Sequence, residues 1–168
     1  MAKNVQKRMR RSEVPLEMTW NLTDLFDSRE VWCDSLLANH KSFEALTVYQ
    51  GHLCESGHTL YECLCAYEKA TIQLIQLGTY VGLQLSEDAT NSIYQEDSLF
   101  FDSIETQTET IVSFIESEIT AFDTDAYFHL FSESPNLLTF KNHLDEIYMK
   151  KPHILSAETE VALASIGE

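Results

Sequence analysis

The sequence predicts an all-α protein, a helical bundle built on a long antiparallel helical hairpin, with about five to six helices in all. Three observations carry that expectation. Apolar and small residues recur at spacings of three and four through Leu60, Leu64, Tyr67, Thr71, Leu74, Leu77, Gly78, Val81 and Leu85, which is the period of one helix face. Five Gly and three Pro in 168 residues are too few for the frequent turns of a strand-rich chain. No segment alternates apolar and polar residues, and a 44% hydrophobic composition supplies the core of one domain.

The elements follow in order. Residues 1–26 form a basic tail and an apolar lead-in, with Trp20, Leu22, Leu25 and Phe26 ahead of the first helix start. Asp27-Ser28-Arg29-Glu30 fits a capping box, with Asp27 accepting from first-turn amides and Glu30 reaching back. A helix of about two dozen residues is expected to follow, turning Val31, Leu36, Leu37, Phe43, Leu46 and Tyr49 inward. Gly51 and Gly57 bracket a turn. The next helix spans about His58 to Leu85, and Gly78 and Gly82 share a face where a neighbouring backbone could approach closely. Ser86-Glu87-Asp88 supplies a capping hydroxyl and two acids for a restart, which places a tight reversal at Leu85–Asp88.

The third helix is expected to reach Phe122, with Ile93, Leu99, Phe100, Ile104, Ile111, Phe114, Ile115, Ile119 and Phe122 as its apolar positions. Its middle, Glu105 to Thr110, is polar, so packing weakens there or the helix bends. Asp123-Thr124-Asp125 caps a shorter helix to about Phe131. After Ser134-Pro135 another spans Leu137 to Lys150, burying Leu138, Leu144, Ile147 and Tyr148. The bundle thus occupies 27–151, and residues 152–168 open a new element, capped by Ser156 after Pro152.

Charge is segregated. Lys3, Lys7, Arg8, Arg10 and Arg11 are five of the eleven basic residues, leaving six against 27 acidic side chains in 12–168. Between Lys69 and Lys141 there is no Lys or Arg but there are twelve acids. Nucleic-acid binding is disfavoured, since phosphates require clustered cations. A solvated acidic face is the simpler reading, and attraction of cationic peptides the sharper one. No run reaches the roughly 18–20 apolar residues of a membrane span, and no apolar signal-peptide core follows the basic start. A cytoplasmic location is the expectation.

Few residues carry candidate chemistry. Cys33, Cys54, Cys63 and Cys65 lie near His52 and His58, but Cys63 and Cys65 point about 200° apart on a helix and cannot chelate one ion. Reduced thiols are the expectation, with a metal site at Cys54–Cys65 as the rival. Glu116 and Glu118 face different ways and form no carboxylate dyad. His143 and Glu146 share a face at i, i+3, read as a surface pair beside Asp145. His153 is read as a turn-holding ring. No catalytic, cofactor-binding or metal-ligating residue is expected in this chain.

Two phrases point further. Arg11-Ser12-Glu13-Val14-Pro15 precedes Thr19-Trp20-Asn21-Leu22-Thr23-Asp24-Leu25-Phe26, and Lys151-Pro152-His153-Ile154-Leu155-Ser156-Ala157-Glu158-Thr159-Glu160 lies near the other end. In that order and separation they resemble the oligoendopeptidase F family, zinc peptidases related to thimet oligopeptidase. The resemblance covers the N-terminal helical region of much longer chains. Their catalytic helix carries H-E-x-x-H, two His ligands on one face with a Glu base. None of His40, His52, His58, His129, His143 and His153 is followed by Glu or has a His four residues later. The resemblance therefore implies a non-catalytic part of a zinc-dependent enzyme that hydrolyses short peptides, with zinc and the catalytic domain elsewhere in the parent. The rival from the residues alone is a stand-alone helical interaction module. Exposed apolar surface in either case predicts a small homo-oligomer at high concentration.

Overall fold

The computed structural model describes residues 13–151. Among them there is no strand, and five α-helices dominate: α1 (Arg29–Glu44), α2 (Gly57–Glu87), α3 (Ser92–Ala121), α4 (Thr124–Glu133) and α5 (Lys141–Met149). Short 3-10 segments occur at Leu16–Met18, Leu22–Asp24, Ala45–Tyr49 and Pro135–Phe140. The fold is all-α, as its periodicity predicts. The expected helix start at Ser156 lies outside the described residues.

The chain divides into two compact units, each with its own core. The first comprises 1–45 and 69–110, the second 46–68 and 111–168, so the divisions fall within α2 and α3. The one on α3 coincides with the polar stretch Glu105–Thr110, where the sequence predicts weakened packing.

In the first unit Trp32, Leu36, Leu77, Tyr80, Val81, Phe101 and Ile104 form the core, with Leu22 and Phe26 of the lead-in against it. Trp32 is fully buried and its indole N–H donates to the Leu77 carbonyl at 3.1 Å, as a buried indole requires. Tyr80 stacks on Trp32 at 5.9 Å between centroids and meets Phe26 edge-on at 5.3 Å. Gly78 is needed here, because a Cβ would stand 2.7 Å from the Phe101 ring. Nothing lies within 4 Å of a Cβ at Gly82, so the expected close approach of a neighbouring backbone is met at neither glycine: a side-chain ring fills the space at Gly78 and Gly82 stands open.

In the second unit Leu53, Leu60, Leu64, Ile115, Ile119, Tyr127, Leu137, Leu144 and Ile147 are among the buried residues. Asp123 caps α4 as expected, its carboxylate accepting from the Ala126 N–H at 2.7 Å. Pro135 opens the 3-10 turn before α5, where its missing N–H costs nothing.

Several sequence expectations are corrected. The α1 cap is Ser28, which accepts from the Val31 N–H at 3.3 Å, not Asp27. The capping box fails because its third helical position is Val31. Helix α2 runs through Ser86 to Glu87, so the break falls at 88–91, and Asn91, not Ser86, receives the Ile93 N–H at 2.9 Å. Ser86 instead donates to the Gly82 carbonyl. Val31, Leu37, Ile93, Leu99 and Leu138 are exposed, while Trp32, Phe101 and Leu137 are buried beside them. Neighbours lie about 100° apart on an α-helix and about 120° apart in a 3-10 turn such as Pro135–Phe140, so an apolar pair such as Leu137-Leu138 leaves open which member faces in.

Candidate functional site

The residues with candidate chemistry gather most densely in the second unit, around the turn between Ala45–Tyr49 and α2. Gly51 takes a φ of 84°, a conformation that costs glycine little. Its N–H donates to one carboxylate oxygen of Glu118 at 2.6 Å, and the Leu53 N–H to the other at 3.3 Å. A turn exposes backbone donors that must find acceptors, and α3 supplies one acid for two of them. The Gly57 N–H, an unpaired donor at the start of α2, goes to Glu133 of α4 at 3.0 Å. Ser56 caps α2 through the Thr59 N–H at 3.1 Å. A cleft of about 370 Å³ lies beside this turn, lined in part by Gly51, Cys54, Glu118 and Asp123.

The histidine and cysteine of this turn do not converge. His52 pairs with Glu55 at 2.6 Å, a hydrogen bond that raises its imidazole pKa above the ordinary value. Cys54 is exposed. Cys63 is buried, and burial pushes its thiol up to about 12, which leaves it neutral and a poor ligand or nucleophile at neutral pH. Cys65 is half-buried and hydrogen-bonds Tyr61, raising the phenol's pKa. Cys33 belongs to the first unit, its thiol raised by burial. Among the described residues no group of three His, Cys, Asp or Glu side chains is placed to hold a metal ion. The described residues therefore do not fit a zinc ion, which the sequence resemblance places elsewhere in the parent.

The remaining histidines make local pairs. His40 reaches Glu44 at 3.7 Å, His58 reaches Glu62 at 3.3 Å and His129 reaches Glu133 at 3.3 Å. At the position where a zinc-binding helix needs its second His, each of these helices carries Glu. His143 is exposed, and His153 lies outside the described residues. Glu116 pairs with Lys150 at 3.0 Å and Glu118 clasps the turn, so the two acids serve different partners, as their spacing predicts. Asp145 accepts from the Tyr127 hydroxyl at 2.7 Å and from Lys141. Lys141 first, then Tyr127, holds its pKa below the usual carboxylate value. Burial, followed by that hydrogen bond, drives the Tyr127 phenol upward.

Sequence reasoning missed the most deeply placed charge among the described residues. Asp97 on α3 is fully buried in the first unit, and Arg29 at the start of α1 grips it, Nε standing 2.8 and 3.0 Å from the two oxygens. A second guanidinium nitrogen lies 2.6 Å from Oδ1, and Asp97 raises the Arg29 pKa still further above its ordinary value. The available signal was an acid on the apolar face of α3, four residues before Phe101. Asp97, Glu116, Glu118, Asp123, Glu133 and Asp145 thus anchor turns, caps and helix pairs, which is structural chemistry.

The comparisons with known proteins bear on the same conclusion. A family model described as Oligopeptidase F, covering the N-terminal region of M3 peptidases, matches residues 118–168. Oligopeptidase PepF of Bacillus subtilis is 32% identical over 158 residues, 94% of this chain but 24% of that protein. The plasmid oligoendopeptidase F of Lactococcus lactis subsp. cremoris is 26% identical over 170 residues, 100% of this chain and 27% of that protein. A crystal structure from Chlamydophila abortus, described as a candidate peptidase, shares the fold with a TM-score of 0.77 at 23% identity, over 96% of this chain and 27% of that one. The chain therefore spans about a quarter of the length of the curated relatives it matches. With both end phrases, the helical fold and these matches in agreement, the chain belongs to the oligoendopeptidase F family, within the N-terminal region of that family's proteins.

Proposed function

We propose that this chain is the helical front part of a cytoplasmic, zinc-dependent peptidase that cleaves short peptides, and that it supplies framework and no reacting group. One observation carries the reading: the match takes in 94% of this chain and only 24% of a protein named for oligopeptidase activity. The described residues support the division of labour. Glu118, Asp123 and Glu133 hold turns and helix ends, His40, His52, His58 and His129 pair with nearby glutamates, and no three His, Cys, Asp or Glu side chains among the described residues gather around one ion. A metal in the parent would be held elsewhere, and would supply Lewis-acid activation of water toward a peptide carbonyl. Residues 152–168 would lead from the bundle toward that part. The acidic surface between Lys69 and Lys141 would draw cationic peptides toward the protein at low salt.

The test is cleavage of a short quenched fluorescent peptide by the full-length polypeptide and by this chain alone. Chelator-sensitive cleavage by the full-length protein and none by the chain is the expected result. Cleavage by the 168-residue chain that disappears on replacing one of its six histidines would overturn it. So would a gene that ends here without an H-E-x-x-H helix, leaving the stand-alone interaction module as the reading.

A further inference from the structure

Helix α2 has a solvent face unlike any surface expected of so acidic a protein. Between Lys69 and Glu87 it carries no charged residue. Its core side is accounted for by Ala70, Leu77, Tyr80, Val81 and Gln84, all buried in the first unit. On the opposite side Ile72 and Ile75 are 54% and 63% exposed, and Thr79, Gly82 and Ser86 are exposed in line with them. At 100° per residue these five positions fall within a stripe about 80° wide and about 20 Å long.

The stripe is less polar than its sequence suggests. Thr79 donates to the Ile75 carbonyl and Ser86 to the Gly82 carbonyl, both at 2.7 Å, so both hydroxyl protons are spent within the helix. No atom lies within 4 Å of a Cβ at Gly82, which leaves room for another backbone to approach. Helix α3 offers the contrast, since Glu96, Asp102 and Glu109 are exposed in the same unit and mark a face built for water. A face of α2 with isoleucines and no charge is built for protein.

We propose that this stripe is the docking surface for an uncharged apolar segment from the rest of the parent polypeptide. The inference rests on the reading that the chain is the front part of a longer peptidase. Two observations select that occupant. The curated relatives are about four times as long as this chain, so most of a parent's polypeptide is available to cover it. A second copy would bring one net charge of −16 against another, and an anionic lipid surface would find no Lys or Arg among the stripe residues to hold it.

The experiment places a single thiol on the stripe of the full-length polypeptide, as Ile75→Cys and separately as Thr79→Cys. Maleimide labelling at that peptide is followed by mass spectrometry in native protein and in the same variant unfolded in urea. Both sites should label about tenfold or more slowly in the native state than when unfolded, at every protein concentration. Native labelling as fast as unfolded labelling at both sites would overturn the proposal. Protection that vanishes on dilution would also overturn it, by making a second copy the occupant. The same preparations are assayed for short-peptide cleavage, which separates the two ideas. Cleavage with freely labelled thiols would leave the peptidase reading standing and sink this one, and protected thiols without cleavage would do the reverse.

Discussion

Removing Arg29 should expose how much of the first unit depends on one ion pair. Asp97 is fully buried, and three guanidinium–carboxylate distances of 2.6–3.0 Å satisfy it. Breaking a buried pair from one side typically costs about 3–5 kcal/mol, because the remaining charge has no solvent. The Arg29 side chain is 42% exposed, so water would enter part of the vacated space and reduce the loss to about 2–4 kcal/mol. The reverse substitution is milder. Asp97→Ala leaves a guanidinium already half in water, so its loss should be nearer 1–2 kcal/mol, roughly the value of charged hydrogen bonds. Both tryptophans belong to this unit, and Trp32 is buried, so the red shift of tryptophan emission in urea reports its unfolding. Arg29→Ala costing less than about 1 kcal/mol, or less than Asp97→Ala, would refute the reasoning.

Gly57→Ala should destabilise by about 1–3 kcal/mol, since its Cβ would meet the Leu130 carbonyl oxygen at 2.3 Å. Gly82→Ala should stabilise by about 0.5–1 kcal/mol, having open space and a helical backbone, and urea titrations of both variants check the opposite signs. Ile115→Ala should cost about 2–5 kcal/mol, whereas Leu138→Ala, 59% exposed, should fall within about 0.5 kcal/mol of the parent on the same titration. The Asp145 pKa is depressed by Lys141 and Tyr127. Its stabilising effect is therefore present above the unfolded carboxylate pKa and lost as pH falls through the folded one. Near-ultraviolet tyrosine dichroism should then show Asp145→Asn destabilising at neutral pH, with the difference shrinking in acid; a difference that grows in acid would contradict the sign.

Much of the local structure was legible because its causes are local. Helical periodicity, scarce Gly and Pro, the Asp123 cap and the Ser134-Pro135 break each act within a few residues, and each appears where its chemistry places it. Locality also explains the near misses. Asp27 and Ser28 are both competent caps, as are Ser86 and Asn91, and the choice depends on where the helix core stops packing. Leu137 and Leu138 are equally apolar, and only the rest of the second unit decides that Leu137 is the one buried.

The sequence by itself determined an all-α chain, the five α-helices of the described residues, its acidic composition and the absence of an H-E-x-x-H pair. Tertiary structure decided the rest. It separated the apolar residues into two cores, and it turned His52, Cys54 and Cys63 toward different surroundings. It gave Glu118 to a turn 67 residues away in sequence and Asp97 to an arginine 68 residues away. A local pattern specifies which side of a helix is apolar, but two side chains so distant in sequence meet only after the intervening helices have packed.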